Sequence, residues 1–324
     1  MNGSRRTLVL FAVASVLFGG TFVAAKAGLD YFPPLLFVAL RFDVASVVLI
    51  GYAVATTPRE GLLPRTRGDV LGIVATGIFA IGLTNALLFV GQQYATSAVG
   101  SIVFSLNPIL TPVFAAVLLA DDRLSARGSA GMLLGLLGVG LVVSPDPANL
   151  LAGGFGKAIL FAGAVSGALG SVLIRWADEG LSSSVRTAWG LPLGAGLTHA
   201  LSRAAGESVG AITWSGEALL ALGYVGVFAG AVAYIAYFEL LDTAGPIRAN
   251  LVFYVVPVVA TLGGWALLDE TIAPTAVAGF LTIFAGFAVL GSESVDSTVI
   301  RRRVPGLRAS DTPVRTEPNG FESD

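Results

Sequence analysis

The sequence predicts an all-α integral membrane protein, with ten transmembrane helices arranged as two inverted five-helix repeats. Three observations carry that expectation. Charged residues make up only 12% of the 324 residues, against 55% hydrophobic; that is about half the charge density a soluble domain uses to coat its surface. Ten apolar stretches are each long enough to cross a bilayer, which takes roughly 20 mostly apolar residues. The second half of the chain also repeats landmarks of the first, in the same order.

The stretches run over 7–25, 35–55, 70–90, 95–119, 128–144, 155–174, 185–202, 216–238, 247–268 and 274–291. Arg5 and Arg6 precede the first in the manner of a secretory leader. Its length suffices to span, however, and the same kind of segment recurs mid-chain, where no leader could be cleaved. The seventh is the least apolar, because it contains Pro192 and His199. The 41 glycines do not argue against helices, since glycine is commoner in membrane helices than in soluble ones. With the N-terminus in the cytoplasm, fifteen of the 19 bases fall on the inner side and three (Lys26, Lys157, Arg203) on the outer; Arg41 lies within the second helix. By the positive-inside rule the expected location is the cell membrane, multi-pass, with both termini cytoplasmic.

Composition excludes several chemistries. With no cysteine there is no disulfide, zinc–thiolate site or thiol nucleophile, and a single histidine, His199, removes multi-histidine metal sites. A net charge of −2 offers no basic surface to nucleic acid. No phosphate-cradling glycine loop follows a strand, so nucleotide-driven transport within this chain is not expected. Neither a metal, a cofactor nor an enzymatic constellation is expected.

The repeat has an offset of about 149 residues. FGGTFVAAK (Phe18 to Lys26) aligns with GALGSVLIR (Gly167 to Arg175), and Asn107-Pro108 falls opposite Val256-Pro257. LLADDRLSARGSAG (Leu118 to Gly131) matches LLDETIAPTAVAG (Leu267 to Gly279) after a one-residue gap, and Gly138 and Gly286 follow in step. Shared composition does not reproduce a proline, an acid and two glycines in order. The expected organisation is therefore residues 1–144 as the first repeat, 145–291 as the second, and 292–324 as a disordered, Ser-, Thr- and Pro-rich cytoplasmic tail. Five spans is an odd number, so the second repeat enters the membrane upside down. Such a pair places a substrate site near the midplane, between its halves.

These motifs resemble the EamA-type permeases of the drug/metabolite transporter superfamily, over roughly residues 7–291. Phe18 stands where that family usually has tryptophan, and the asparagine often found near FGGTF is absent. The resemblance implies a secondary carrier, usually an exporter, of small metabolites such as amino acids, working by alternating access. A multidrug efflux carrier of amphipathic compounds is the alternative, and a non-transporting scaffold or channel is the reading of another class.

Candidate residues follow from the cost of polar groups inside a membrane. Arg41 and Asp43 lie in the second helix, two apart and so on opposite sides of it. Arg41 is the candidate for the cavity, Asp43 and Glu239 for ion coupling. Asn85, Gln92 and Asn107 in the first repeat, with Tyr234, Tyr237, Asn250 and Tyr254 in the second, form a candidate polar lining. Tyr234 aligns with Asn85. Pro108 and Pro257 each remove a helical hydrogen bond and are candidate hinges. Asp121, Asp122, Asp269 and Glu270 read as loop residues that cap helices. Gly131, Gly135, Gly138, Gly140, Gly163 and Gly167 give faces for close helix packing, a homodimer contact among the options. The expected partners are therefore a small-molecule substrate, the lipid bilayer and a second copy.

Overall fold

A computed structural model describes residues 3–119, 126–143, 154–177, 180–244, 249 and 251–303. These residues are mostly helical, with no strand among them. Among the described residues six helices are long and apolar enough to cross a membrane: Arg5–Gly28, Pro34–Thr56, Arg67–Gln92, Ser97–Leu118, Gly154–Trp176 and Gly216–Leu241. Shorter apolar stretches lie at Ser129–Gly138, Val255–Leu268 and Pro274–Gly286. The seventh segment forms one helix, Ser183–Ala204, that carries Pro192 within it. Helix Pro274–Arg303 runs past the apolar stretch that ends at 291. Residues 292–304 hold neither glycine nor proline, so nothing in the sequence stops the helix there; residues 304–324 lie outside the described residues.

Helix starts follow local chemistry. Thr66 and Asp69 form a reciprocal capping box at the head of helix 67–92. Thr96, Ser182 and Ser215 each accept a backbone N–H from the first turn of the helix that follows. Two further caps come from the other half of the chain. Glu207 accepts Leu35 N and Leu36 N at 3.1 and 2.7 Å, at the head of helix 34–56. Glu270 accepts Ser97 N through both carboxylate oxygens, at 2.9 and 3.0 Å. A carboxylate at a helix N-terminus satisfies orphan donors and complements the helix dipole. Asp269, the one non-glycine residue with positive φ among the described residues (53°), turns the chain so that Glu270 can reach Ser97. Gly264 leaves the space the Glu270 carboxylate passes through. Of the acids read as caps, Glu270 caps a helix in the opposite half, and Asp121 and Asp122 lie outside the described residues.

The main packing partners lie in opposite halves. Helix 34–56 packs along 183–204, and 126–143 along 274–303. Helix 3–28 packs on 252–268 and on 216–244, while 154–176 packs on 97–118 and on 67–92. In the second of these pairs, Gly138 abuts the Gly279 carbonyl and Gly286 abuts that of Gly131. Gly163 faces Phe104 and Leu87, and Gly167 faces Asn107. Gly131, Gly135, Gly138, Gly163 and Gly167, named for helix packing, thus meet neighbours within this chain.

Two helices contain long π-segments, Ala75–Leu83 and Tyr224–Val232. An offset of 149 residues carries each end of the first onto the corresponding end of the second. The wider turn leaves carbonyls without their usual partner, and side chains take them up. The Thr84 hydroxyl donates to the Phe79 carbonyl at 2.7 Å, and the Ser166 hydroxyl to the same oxygen at 3.0 Å.

Candidate functional site

Arg41 lies seven residues into helix 34–56, about 10 Å from its start at 1.5 Å per residue. It is only 3% exposed. Its Nη1 donates to Asn85 Oδ1 at 3.3 Å. The rings of Phe42 and Phe89 stand 5.3 and 5.2 Å from its guanidinium carbon, within cation–π range. The Tyr234 side chain is close enough to interact with it electrostatically. Its Nε is buried and has no hydrogen-bond partner among the described residues.

The π-segments explain why these groups meet. Asn85 and Tyr234 each lie two residues beyond the end of a π-segment, at matching positions of the two halves. Such segments are rare and recur at functional sites, because an altered turn re-aims the side chains that follow it. Asn85 Nδ2 donates back to the Ile81 carbonyl at 2.8 Å, which fixes the amide so that its oxygen points to Arg41.

An aromatic wall extends from Tyr234. The Phe18 ring meets Tyr234 edge-on at 5.2 Å, Tyr237 at 6.0 Å and Phe253 at 6.1 Å. Tyr237 and Phe253 lie 5.4 Å apart. All four rings keep partial exposure, as does Asn85, while Arg41 is buried. The arrangement is a buried cation beside a half-open aromatic surface.

The other candidate residues lie elsewhere. Gln92 is fully buried; its Nε2 donates to the Phe22 carbonyl at 3.0 Å, and its backbone carbonyl accepts Lys26 Nζ at 2.7 Å. It ties the end of helix 67–92 to helix 3–28, away from Arg41. Asn107 lies against Gly167 with a buried, unpartnered Oδ1. Glu239 pairs with Arg6. Asp43 pairs with His199 at 2.9 Å on the outside of the bundle, in the exposed stripe of Val47 and Val54. Pro257 lines an apolar groove of about 190 Å³ with Ile102, Leu262 and Phe280. Pro108 is the second residue of helix Asn107–Leu118, and the turn at Ser105–Leu106 interrupts the helix just ahead of it. Asn250 and the side chain of Tyr254 lie outside the described residues.

Sequence reading missed the rings of Phe42, Phe89 and Phe253, and it missed the π-segments. A signal for Phe89 was present, since it follows Asn85 by four residues and shares its helix face. The π-segments read ATGIFAIGL and YVGVFAGAV, which share a glycine, a phenylalanine and an alanine in register (Gly77, Phe79 and Ala80; Gly226, Phe228 and Ala229).

The EamA-like transporter family matches this chain twice, over residues 5–144 and 154–292. The chain belongs to that family. Several transporters are similar to this chain over most of their length. An uncharacterized transporter of Archaeoglobus fulgidus is 24% identical over 289 residues, covering 87% of this chain and 97% of the relative. The uncharacterized inner membrane transporter YedA of Escherichia coli is 28% identical over 273 residues, covering 83% and 86%. The uncharacterized transporter YyaM of Bacillus subtilis is 28% identical over 282 residues, covering 86% and 89%. A solved crystal structure with 24% identity superposes with a TM-score of 0.60, covering 89% of this chain and 98% of that one, and so shares the fold. With the apolar helices, these findings make this a multi-pass membrane protein. Family and relatives point to a transporter rather than an enzyme.

Proposed function

We propose that this EamA protein is a ten-helix secondary carrier. In this reading two inverted five-helix repeats, residues 1–144 and 145–291, move small organic metabolites such as amino acids out of the cell by alternating access. The observation that carries the reading is the buried Arg41 bonded to Asn85, whose counterpart in the other half, Tyr234, lies near enough to act on its charge. Asn85 and Tyr234, one from each half, stand at matching positions after matching π-segments, and Asn85 bonds the buried base. Inverted repeats put a site of that kind between their halves.

Three findings support duplication. The family matches each half separately, the π-segments coincide at the repeat offset, and exchanging the halves leaves the main helix pairings unchanged. The reciprocal Gly138–Gly279 and Gly286–Gly131 contacts have the form of a local two-fold axis. The arginine distribution supports cytoplasmic termini.

Purified chain in proteoliposomes is expected to show saturable counterflow of an amino acid; flux that never saturates means a channel, and no flux of any solute removes the carrier reading. Orientation is accessible cleanly because the chain has no cysteine. Single cysteines placed at Asn2 and Ser310 should react only with a membrane-permeant reagent in intact cells. Reaction of just one of them with an impermeant reagent would overturn the inverted topology. The aromatic wall and the apolar groove at Pro257 favour a second reading, efflux of amphipathic compounds. Competition of such compounds with amino-acid counterflow separates the two.

A further inference from the structure

Resting on the carrier reading above, we propose that Arg41 is a carboxylate-binding group, and that the substrate is an organic monocarboxylate with an apolar body of aromatic size. A guanidinium carries five N–H donors in a rigid fork. Arg41 spends one of them, on Asn85 at 3.3 Å. The Phe42 and Phe89 rings lie against its charge but accept no strong hydrogen bond. Its Nε is buried without a partner, and no carboxylate among the described residues forms an ion pair with it. Burying an ion without a counter-charge costs several kcal/mol. A bound carboxylate removes that cost, because its two oxygens match the fork.

The surroundings narrow the class. A cation is repelled by Arg41. A phosphate dianion calls for a second base, yet Lys26 is tied to the Gln92 carbonyl and Arg6 to Glu239. A neutral polar solute would find the Asn85 amide already engaged at both ends. The rest of the ligand lies against Phe18, Tyr234, Tyr237 and Phe253, which favour a flat or apolar body. Of the acids that were candidates for coupling, Asp43 is held by His199 and Glu239 by Arg6, so neither stands ready for an ammonium group. An amino group is therefore tolerated and not required.

The test is calorimetric titration of the full purified chain with four ligands of one shape: phenylacetate, phenylacetamide, phenethylamine and phenylalanine. Phenylacetate should bind at least about ten-fold more tightly than its amide and its amine, the factor that a hydrogen bond to a charged group supplies. Phenylalanine should bind within a few-fold of phenylacetate. In Arg41→Gln the preference for acid over amide should vanish. Should that variant fail to elute as a single species, the acid-to-amide ratio of the unaltered chain decides alone. Equal binding of acid and amide, tighter binding of the amine, or no binding of any of the four overturns the proposal. Saturable counterflow of some other solute would then leave the carrier reading standing, whereas absence of all flux would remove both.

Discussion

The two halves share a backbone arrangement and differ in the chemistry placed on it. In the first half, Gly77 of the π-segment packs against the Gly190 carbonyl and Leu193; in the second, Gly226 packs against the Arg41 carbonyl and Val44. These neighbours are themselves matched at the same 149-residue offset as the π-segments. Position 41 thus carries an arginine where its counterpart, 190, carries a glycine, and Asn85 corresponds to Tyr234 by the same offset. Helix packing tolerates two-fold symmetry, because backbone contacts need only small residues and matching shapes. A site for one small molecule without that symmetry gains from breaking it. Symmetry here belongs to the scaffold and asymmetry to the site.

The largest expected effect is on the asymmetric member. Arg41→Ala should reduce counterflow about 10- to 100-fold, the range given by losing a hydrogen bond to a charged group, with the amount of folded protein unchanged by gel filtration. Normal flux in that variant would make Arg41 a packing residue no different in kind from Gly190. The symmetric members come next. Gly77→Ala and Gly226→Ala should each cost about 1–3 kcal/mol by overpacking, read as lowered thermal midpoints. Gly77→Ala should cost more, because its added methyl meets a backbone carbonyl, whereas the one at Gly226 first meets the Val44 side chain. Equal costs would mean the two contacts respond alike.

A third comparison concerns the cross-half caps. Glu270→Gln and Glu207→Gln should each lower stability by about 1 kcal/mol, and by similar amounts, since each carboxylate does the same work at a helix head. Replacing both Pro108 and Pro257 by alanine should slow counterflow without lowering protein levels; an unchanged rate would leave them as static kinks. The smallest effect is expected at Asp43→Asn. Its pair with His199 is exposed, and such pairs contribute about 1 kcal/mol or less. Flux should therefore stay within about two-fold of the unaltered protein. A coupling role makes the opposite demand, loss of flux driven by a pH gradient.

Much of the scaffold was legible beforehand because its signals are local. Long apolar runs announce membrane helices wherever they fall, whereas the caps Thr66, Thr96 and Ser182 were found only in the structure. Arg41 drew attention as a base in an apolar stretch, and Asn85 and Tyr234 as an aligned polar pair. Gln92 was indistinguishable from them by residue type. Its amide closes a helix junction through the Phe22 carbonyl, a partner 70 residues distant that no local pattern reveals. The same holds for Asp43 and His199, which are separated by 156 residues.

The sequence by itself determined that this chain lives in a bilayer, that its halves are related and roughly where its apolar helices run, because apolar runs and residue order are read along the chain. Only the tertiary structure decided which polar groups converge. It set Arg41 between two phenylalanine rings and Asn85, and it gave Asp43 and Glu239 partners of their own. The register of π-turns and the approach of distant helices govern those meetings, and neither is written in any single stretch of residues.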